Sequence, residues 1–138
     1  MQCFYQDQTK AIELFTKSAE LGHSQAHWNL GDIYRKGGYL KKAKFHWEAA
    51  AMAGHEGARF NLGIMDLQSG NIEQAVKHWT IAASAGHYKA MFQLKICFEK
   101  GLVSRESIDS NLTAYNSSCA EMRSEARDAS IQSMLATD

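Results

Sequence analysis

A 32-residue period constrains this chain more than any other property. With Ala11, Ala43 and Ala75 aligned, six columns hold one residue type in all three copies: Ala11/Ala43/Ala75, Ala19/Ala51/Ala83, Gly22/Gly54/Gly86, His23/His55/His87, Ala26/Ala58/Ala90 and Leu30/Leu62/Leu94. Two further columns are aromatic throughout, Phe15/Trp47/Trp79 and Trp28/Phe60/Phe92. A period of about 20–50 residues marks a small supersecondary unit that buries its apolar face against copies of itself.

The spacing inside each copy predicts two helices. Ala26, Leu30, Ile33 and Tyr34 fall on one helical stripe, and Ala43, Trp47, Ala50 and Ala51 on a second. Gly37-Gly38 divides them and Gly54 ends the pair, as glycine does where a helix must turn back. The next copy repeats the scheme with Ala58, Leu62 and Met65, then Ser69-Gly70-Asn71, then Ala75, Trp79, Ala82 and Ala83. The 138 residues contain no proline, so glycines and capping side chains must supply every break. Small alanines beside large rings are what closely packed helices require.

Both ends depart from the period. Thr9 to Leu21 reads as a second helix without a first, which suggests one end of a longer array or an open face that meets a partner. After Ser104, a candidate N-cap with Ser107 three residues on, Ile108, Leu112, Tyr115, Cys119, Met122, Ala126 and Ala129 alternate at four and three residues. That pattern predicts an amphipathic helix of about six or seven turns, closing the last pair and fraying from Ser133. The chain thus divides into repeats over 1–103, the first of them partial, and a C-terminal capping helix with a frayed tail over 104–138.

The segments Ala26-His-Trp-Asn-Leu-Gly-Asp-Ile-Tyr34 and Ala58-Arg-Phe-Asn-Leu-Gly63 resemble the first helix of Sel1-like repeats. Ala43-Lys-Phe-His-Trp-Glu-Ala-Ala-Ala-Met-Ala-Gly54 and Ala75-Val-Lys-His-Trp-Thr-Ile-Ala-Ala-Ser-Ala-Gly86 resemble the second. The likeness spans about residues 9–101, with a shortened loop inside each pair and Lys95 where Gly31 and Gly63 stand. Tetratricopeptide repeats share the helix-turn-helix geometry. The resemblance implies an all-α fold: an α-α superhelix (Sel1-like, TPR-like solenoid) of antiparallel helix pairs with a long C-terminal capping helix.

It also implies a non-catalytic protein-protein interaction module, an adaptor or scaffold that binds a peptide or helix in a concave groove lined by first helices. On those helices Trp28, Asp32, Arg35, Phe60, Ile64, Phe92 and Glu99 are the candidate partner-binding residues. At least half of each ring in the Trp28/Phe60/Phe92 column is expected to be inter-repeat core. The Lys/Asn clamp with which some tetratricopeptide proteins hold a carboxylate is missing, since the matching positions are Trp28, Asp32, Phe60, Ile64, Phe92 and Ile96.

Two other classes remain open, a helical-repeat nucleic-acid binder and a histidine metal-site enzyme. Fifteen basic residues cancelled by fifteen acidic ones weigh against the first. Against the second, repeat-equivalent histidines are dispersed by helix packing at about 8–10 Å per layer, whereas metal ligands converge on one point. Neither catalytic residues, a metal nor a cofactor is expected. The expected partner is a protein or peptide rather than nucleic acid or membrane, with self-association through the N-terminal open end or the C-terminal helix. Three cysteines, Cys3, Cys97 and Cys119, at inequivalent columns suggest no disulfide framework and a reducing, cytoplasmic compartment.

Overall fold

Every helix from α1 to α5 ends in a three-residue turn built the same way. In the computed structural model, which describes residues 2–136 and side chains from residue 8 onward, seven helices follow one another. They are α1 (Gln2–Glu20), α2 (Ser24–Lys36), α3 (Leu40–Met52), α4 (Glu56–Gln68), α5 (Ile72–Ser84), α6 (Tyr88–Glu99) and α7 (Arg105–Ala136). No strand occurs among the described residues. The side chain of Cys3 and residues 137–138 lie outside them.

The turn after α3 shows the mechanism. Gly54 has φ +90°, a conformation costly for any residue with a Cβ. Its N–H donates to Ala51 O at 3.0 Å and the His55 N–H donates to Ala50 O at 3.0 Å. This is the Schellman arrangement, which satisfies the last carbonyls of a helix. His55 then starts the next helix, its own carbonyl accepting from the Arg59 N–H at 3.3 Å. The same pair of closing bonds recurs at Gly22, Gly38, Gly70, Gly86 and Gly101, all with positive φ. From Gly22 to Gly86 these glycines stand every sixteen residues. Half the sequence period is therefore one helix plus one turn.

Two of the three turn histidines cap the helix that follows with their side chains. His55 Nδ1 accepts from the Ala58 N–H at 3.1 Å, and His87 Nδ1 accepts from the Ala90 N–H at 3.3 Å. Asn71 does the same through its amide oxygen, bound by the Gln74 N–H. His23 holds the equivalent backbone conformation without a side-chain cap bond. His55 Nε2 lies 3.1 Å from Gln25 Oε1. With Nδ1 accepting and Nε2 donating, the ring is the neutral Nε2–H tautomer, and it ties α4 to α2.

The chain divides into two compact units, residues 1–78 and 79–138, with the boundary inside α5. In the first, α1 packs on α2, α2 on α3, and α3 on α4. Ala19, Ala26 and Leu30 form one core cluster, with Ile12, Phe15 and Tyr34 half-buried against it. Trp47, Ala50, Ala51, Ala58 and Leu62 form another, edged by Trp28 and Met65. Trp47 explains the Leu-Gly pair on the preceding helix. Its indole lies so close to Gly31 that a Cβ there would overlap the ring. Its Nε1 donates to the Trp28 carbonyl at 3.3 Å.

In the second unit Trp79, Ala82, Ala83, Ala90, Leu94, Cys97 and Ile108 are buried. α7 packs on α6, its start capped by Ser104 Oγ, which accepts from the Ser107 N–H at 3.1 Å. Further on, Ser118 Oγ donates to Ser84 O at 2.7 Å and Met122 covers Gly86. Lys95 stands one period after Gly63 and Asn111 one period after Trp79, so the Gly31–Trp47 residue pair has no counterpart in the last copy.

Two boundaries differ from the sequence expectation. α1 begins at Gln2, not Thr9, and α7 runs for 32 residues, about nine turns, without fraying before Ala136. Neither 2–8 nor 105–136 contains glycine or proline, so nothing in the local chemistry stops either helix. The expected apolar stripe of α7 packs only as far as Met122, and Ala126 and Ala129 are exposed.

Two outcomes follow from the turn and the Trp–Gly contact. Gly31→Ala should destabilise the protein by about 1–3 kcal/mol in urea unfolding. Gly31→Ala/Trp47→Phe should cost less than the sum of the two single changes, since the residues touch; strict additivity would refute the contact. His55→Ala should cost about 0.5–2 kcal/mol, as loss of an N-cap does, while His23→Ala should leave stability within a few tenths of a kcal/mol.

Candidate functional site

A groove of about 620 Å³ opens in the first unit between α2 and α4. α2 supplies Trp28, Asp32 and Arg35, spaced four and three residues apart, and α4 supplies Phe60, Ile64 and Gln68, spaced four and four, so each residue is about one helical turn from the next. Leu40, at the start of α3, lines it as well, and Trp47 and Met65 reach it from the core. Asn61 and Ser69 add polar groups on the α4 side.

Trp28 is held by contacts on two sides. His55 stacks on its ring at 5.8 Å between centroids, and its backbone carbonyl is bound by Trp47. Its indole N–H is buried and has no acceptor. Asp32 lies 3.0 Å from Arg35 and 3.1 Å from Lys36. Burial opposes ionisation of Asp32, but hydrogen bonds and charge from Lys36 and Arg35 outweigh it and hold the carboxyl below its usual range. The rim therefore carries a fixed negative charge shared by two cations.

Five of the seven candidate residues, Trp28, Asp32, Arg35, Phe60 and Ile64, come together here. Phe92 and Glu99 stand on α6 in the second unit. Trp28 and Phe60 are half-buried, in keeping with the expected core role, whereas Phe92 is 61% exposed and departs from it. The ring that covers Trp28 belongs to the following repeat's histidine; one period after His87 the chain has Cys119. Gln68 stands where the first-helix spacing places it, whereas Leu40 and Met65 are groove residues that the spacing does not indicate. Leu40 belongs to a second helix, and only the short Gly37-Gly38 turn swings it back to the groove.

The remaining histidines form close encounters of another kind. His27 Nδ1 and His46 Nδ1 lie 3.1 Å apart, so one donates and the other accepts. Tyr34 stacks on His46 at 5.5 Å. No group of three or more His, Cys, Asp or Glu able to hold a metal occurs among the described residues. His78 Nε2 is 3.5 Å from Asp66 Oδ2, and its Nδ1 is buried without a partner. Burial pushes the His78 pKa down and outweighs the Asp66 carboxylate, which pulls it up, so the ring is neutral at pH 7.

Sel1 repeats match the chain at residues 5–23, 24–55 and 57–87, more than half its length. The chain belongs to the Sel1-repeat family. The matched segments end at the turn histidines His23, His55 and His87, and α6 and α7 lie beyond them. No curated protein matches the chain. Sel1 repeats are generally protein-protein interaction modules on a non-catalytic scaffold. No helix among the described residues is long and apolar enough to cross a membrane.

Three histidines share one pH response. Burial lowers the pKa of His46, helped by the charge of His27; it lowers that of His55 against Glu56; and it lowers that of His78 against Asp66 and Glu48, with Arg59 and Lys44 acting alongside burial. A depressed folded pKa means that the unfolded chain binds more protons between the two values. The stabilisation is complete above about pH 6.5 and is lost as pH falls through the folded values. Melting temperature measured by circular dichroism should fall from pH 7 to pH 5, and His78→Gln should flatten the slope; an unchanged melting temperature would contradict neutral burial.

Proposed function

We propose that this chain is a non-catalytic adaptor or scaffold whose α2–α4 groove receives a peptide or helix of a protein partner. The observation that carries this reading is the pair of half-buried rings, Trp28 and Phe60, facing one groove with Ile64 between polar rims. Aromatic side chains that are rigidly held and only half covered are the usual anchors of protein interfaces. Asp32 and Arg35 set the orientation of the bound segment through charge. Phe92, one period after Phe60, and Glu99 offer the second unit an aromatic and an acidic contact. His55 and His87, occupied with backbone capping, support a role without chemistry. The free thiols Cys97 and Cys119 fit a reducing, cytoplasmic setting.

Affinity capture from native lysate tests the groove. Trp28→Ala/Phe60→Ala should weaken retention of the partner by about thirtyfold or more, the equivalent of an interface hot spot of 2 kcal/mol. Far-UV circular dichroism checks that the variant is folded. Undiminished capture by a folded double variant would remove the groove from the function.

A further inference from the structure

Two surfaces of this chain carry unneutralised charge of opposite sign, and each exposes apolar side chains beside it. The first is the corner of the groove where α2 turns into α3. Residues 35–44 hold Arg35, Lys36, Lys41, Lys42 and Lys44 and no acidic residue. Asp32 serves both Arg35 and Lys36, and Lys44 reaches Glu48 only at 3.9 Å. Lys42 lies over the rings of Tyr34 and Tyr39. Two carboxylates thus face five cations. Arg35 and Leu40, from this corner, line the groove itself.

The second surface is the outer half of α7. Every residue from Ala120 to Ala136 is exposed. Glu121, Glu125 and Asp128 fall at i, i+4 and i+7 on one face. Neither Arg123 nor Arg127 has an acidic residue three or four positions away, so the helix cannot neutralise that stripe internally. Like charges at this spacing repel, which makes the stripe a cost to α7 standing alone. The same face continues from Asp128 to Ile131 and Leu135, which are 48% and 71% exposed. It is acidic first and apolar afterwards.

We propose that the outer half of α7 of one copy lies in the α2–α4 groove of a second copy. The proposal rests on the groove reading above and names its occupant. The order of the groups sets the direction. α2 passes from apolar Trp28 to basic Arg35 over seven residues, about 10 Å. α7 passes from acidic Asp128 to apolar Leu135 over the same length. Laid antiparallel to α2, α7 places its carboxylates against Arg35, Lys36 and Lys41 and its apolar end against Phe60 and Ile64. Charge then fixes register and orientation, and the covered apolar area supplies the driving force.

Sedimentation velocity of the full chain over a concentration series tests this. The wild type should associate, and association should weaken at high salt, as expected of exposed charge pairs. Glu121→Lys/Glu125→Lys/Asp128→Lys should weaken self-association at least about tenfold, and Arg35→Glu/Lys36→Glu/Lys41→Glu should do the same. Mixed together, the two reversed variants should associate with each other, because the altered helix of one complements the altered groove of the other. Leu135→Ser, at a site 71% exposed, should also weaken association while far-UV circular dichroism stays that of the wild type. A wild type that stays monomeric throughout overturns the proposal; if Trp28→Ala/Phe60→Ala still abolishes capture of another protein, the groove then belongs to that partner. Variants that associate like the wild type, or folded reversed variants that ignore each other, overturn it as well.

Discussion

From Gly22 to Gly86, the residue after each turn glycine closes one helix with its N–H and opens the next with its carbonyl. At His55 the N–H binds Ala50 O and the carbonyl receives the Arg59 N–H. Two helix ends, each with orphan polar groups, are satisfied by one position, so three residues are enough to reverse the chain. The rest of the structure depends on this economy. Short turns set α1 on α2, α2 on α3 and α3 on α4, and the same closing bonds recur at each turn. The requirement for φ > 0 explains the glycine, and the need for a side-chain acceptor explains why histidine or asparagine follows it at three turns.

That use of histidine bears directly on function. A ring whose Nδ1 accepts from the backbone and whose Nε2 donates to Gln25 has no free lone pair for a metal. The same ring stacks on Trp28 and holds it at the edge of the groove. From the other side, Trp47 occupies the space that Gly31 leaves and binds the Trp28 carbonyl. One chain of contacts thus runs from the core to the groove, from Gly31 through Trp47 to Trp28 and His55. The exposed part of the groove is rigid because its back is core.

The pattern stops where its parts are no longer supplied. Position 95 is lysine, 111 is asparagine and 119 is cysteine, at places where glycine, tryptophan and histidine stood before. Without the tryptophan there is no ring to lie on a bare Cα, and without the histidine there is no ring to cover Phe92. α7 packs by a different rule, an alternating four-three stripe from Ile108 to Met122. Beyond that it continues as a helix on local propensity alone, with its charges sorted to separate faces.

The period by itself determined the all-α repeat class, the glycine turns, the capping position of the histidines and the buried Trp47 and Trp79. Each of these depends on contacts within one repeat or between adjacent ones, and such contacts recur in sequence as identical columns. Helix boundaries at both ends were less legible, since the residues there neither favour a stop nor repeat. Tertiary structure alone decided that Leu40 and Met65 join Trp28 and Phe60 around one groove, and that His27 meets His46. Those residues occupy different columns and different helices, and a periodic pattern carries no information about which unlike columns face each other. Only the turn geometry and the packing angle of the helices set that.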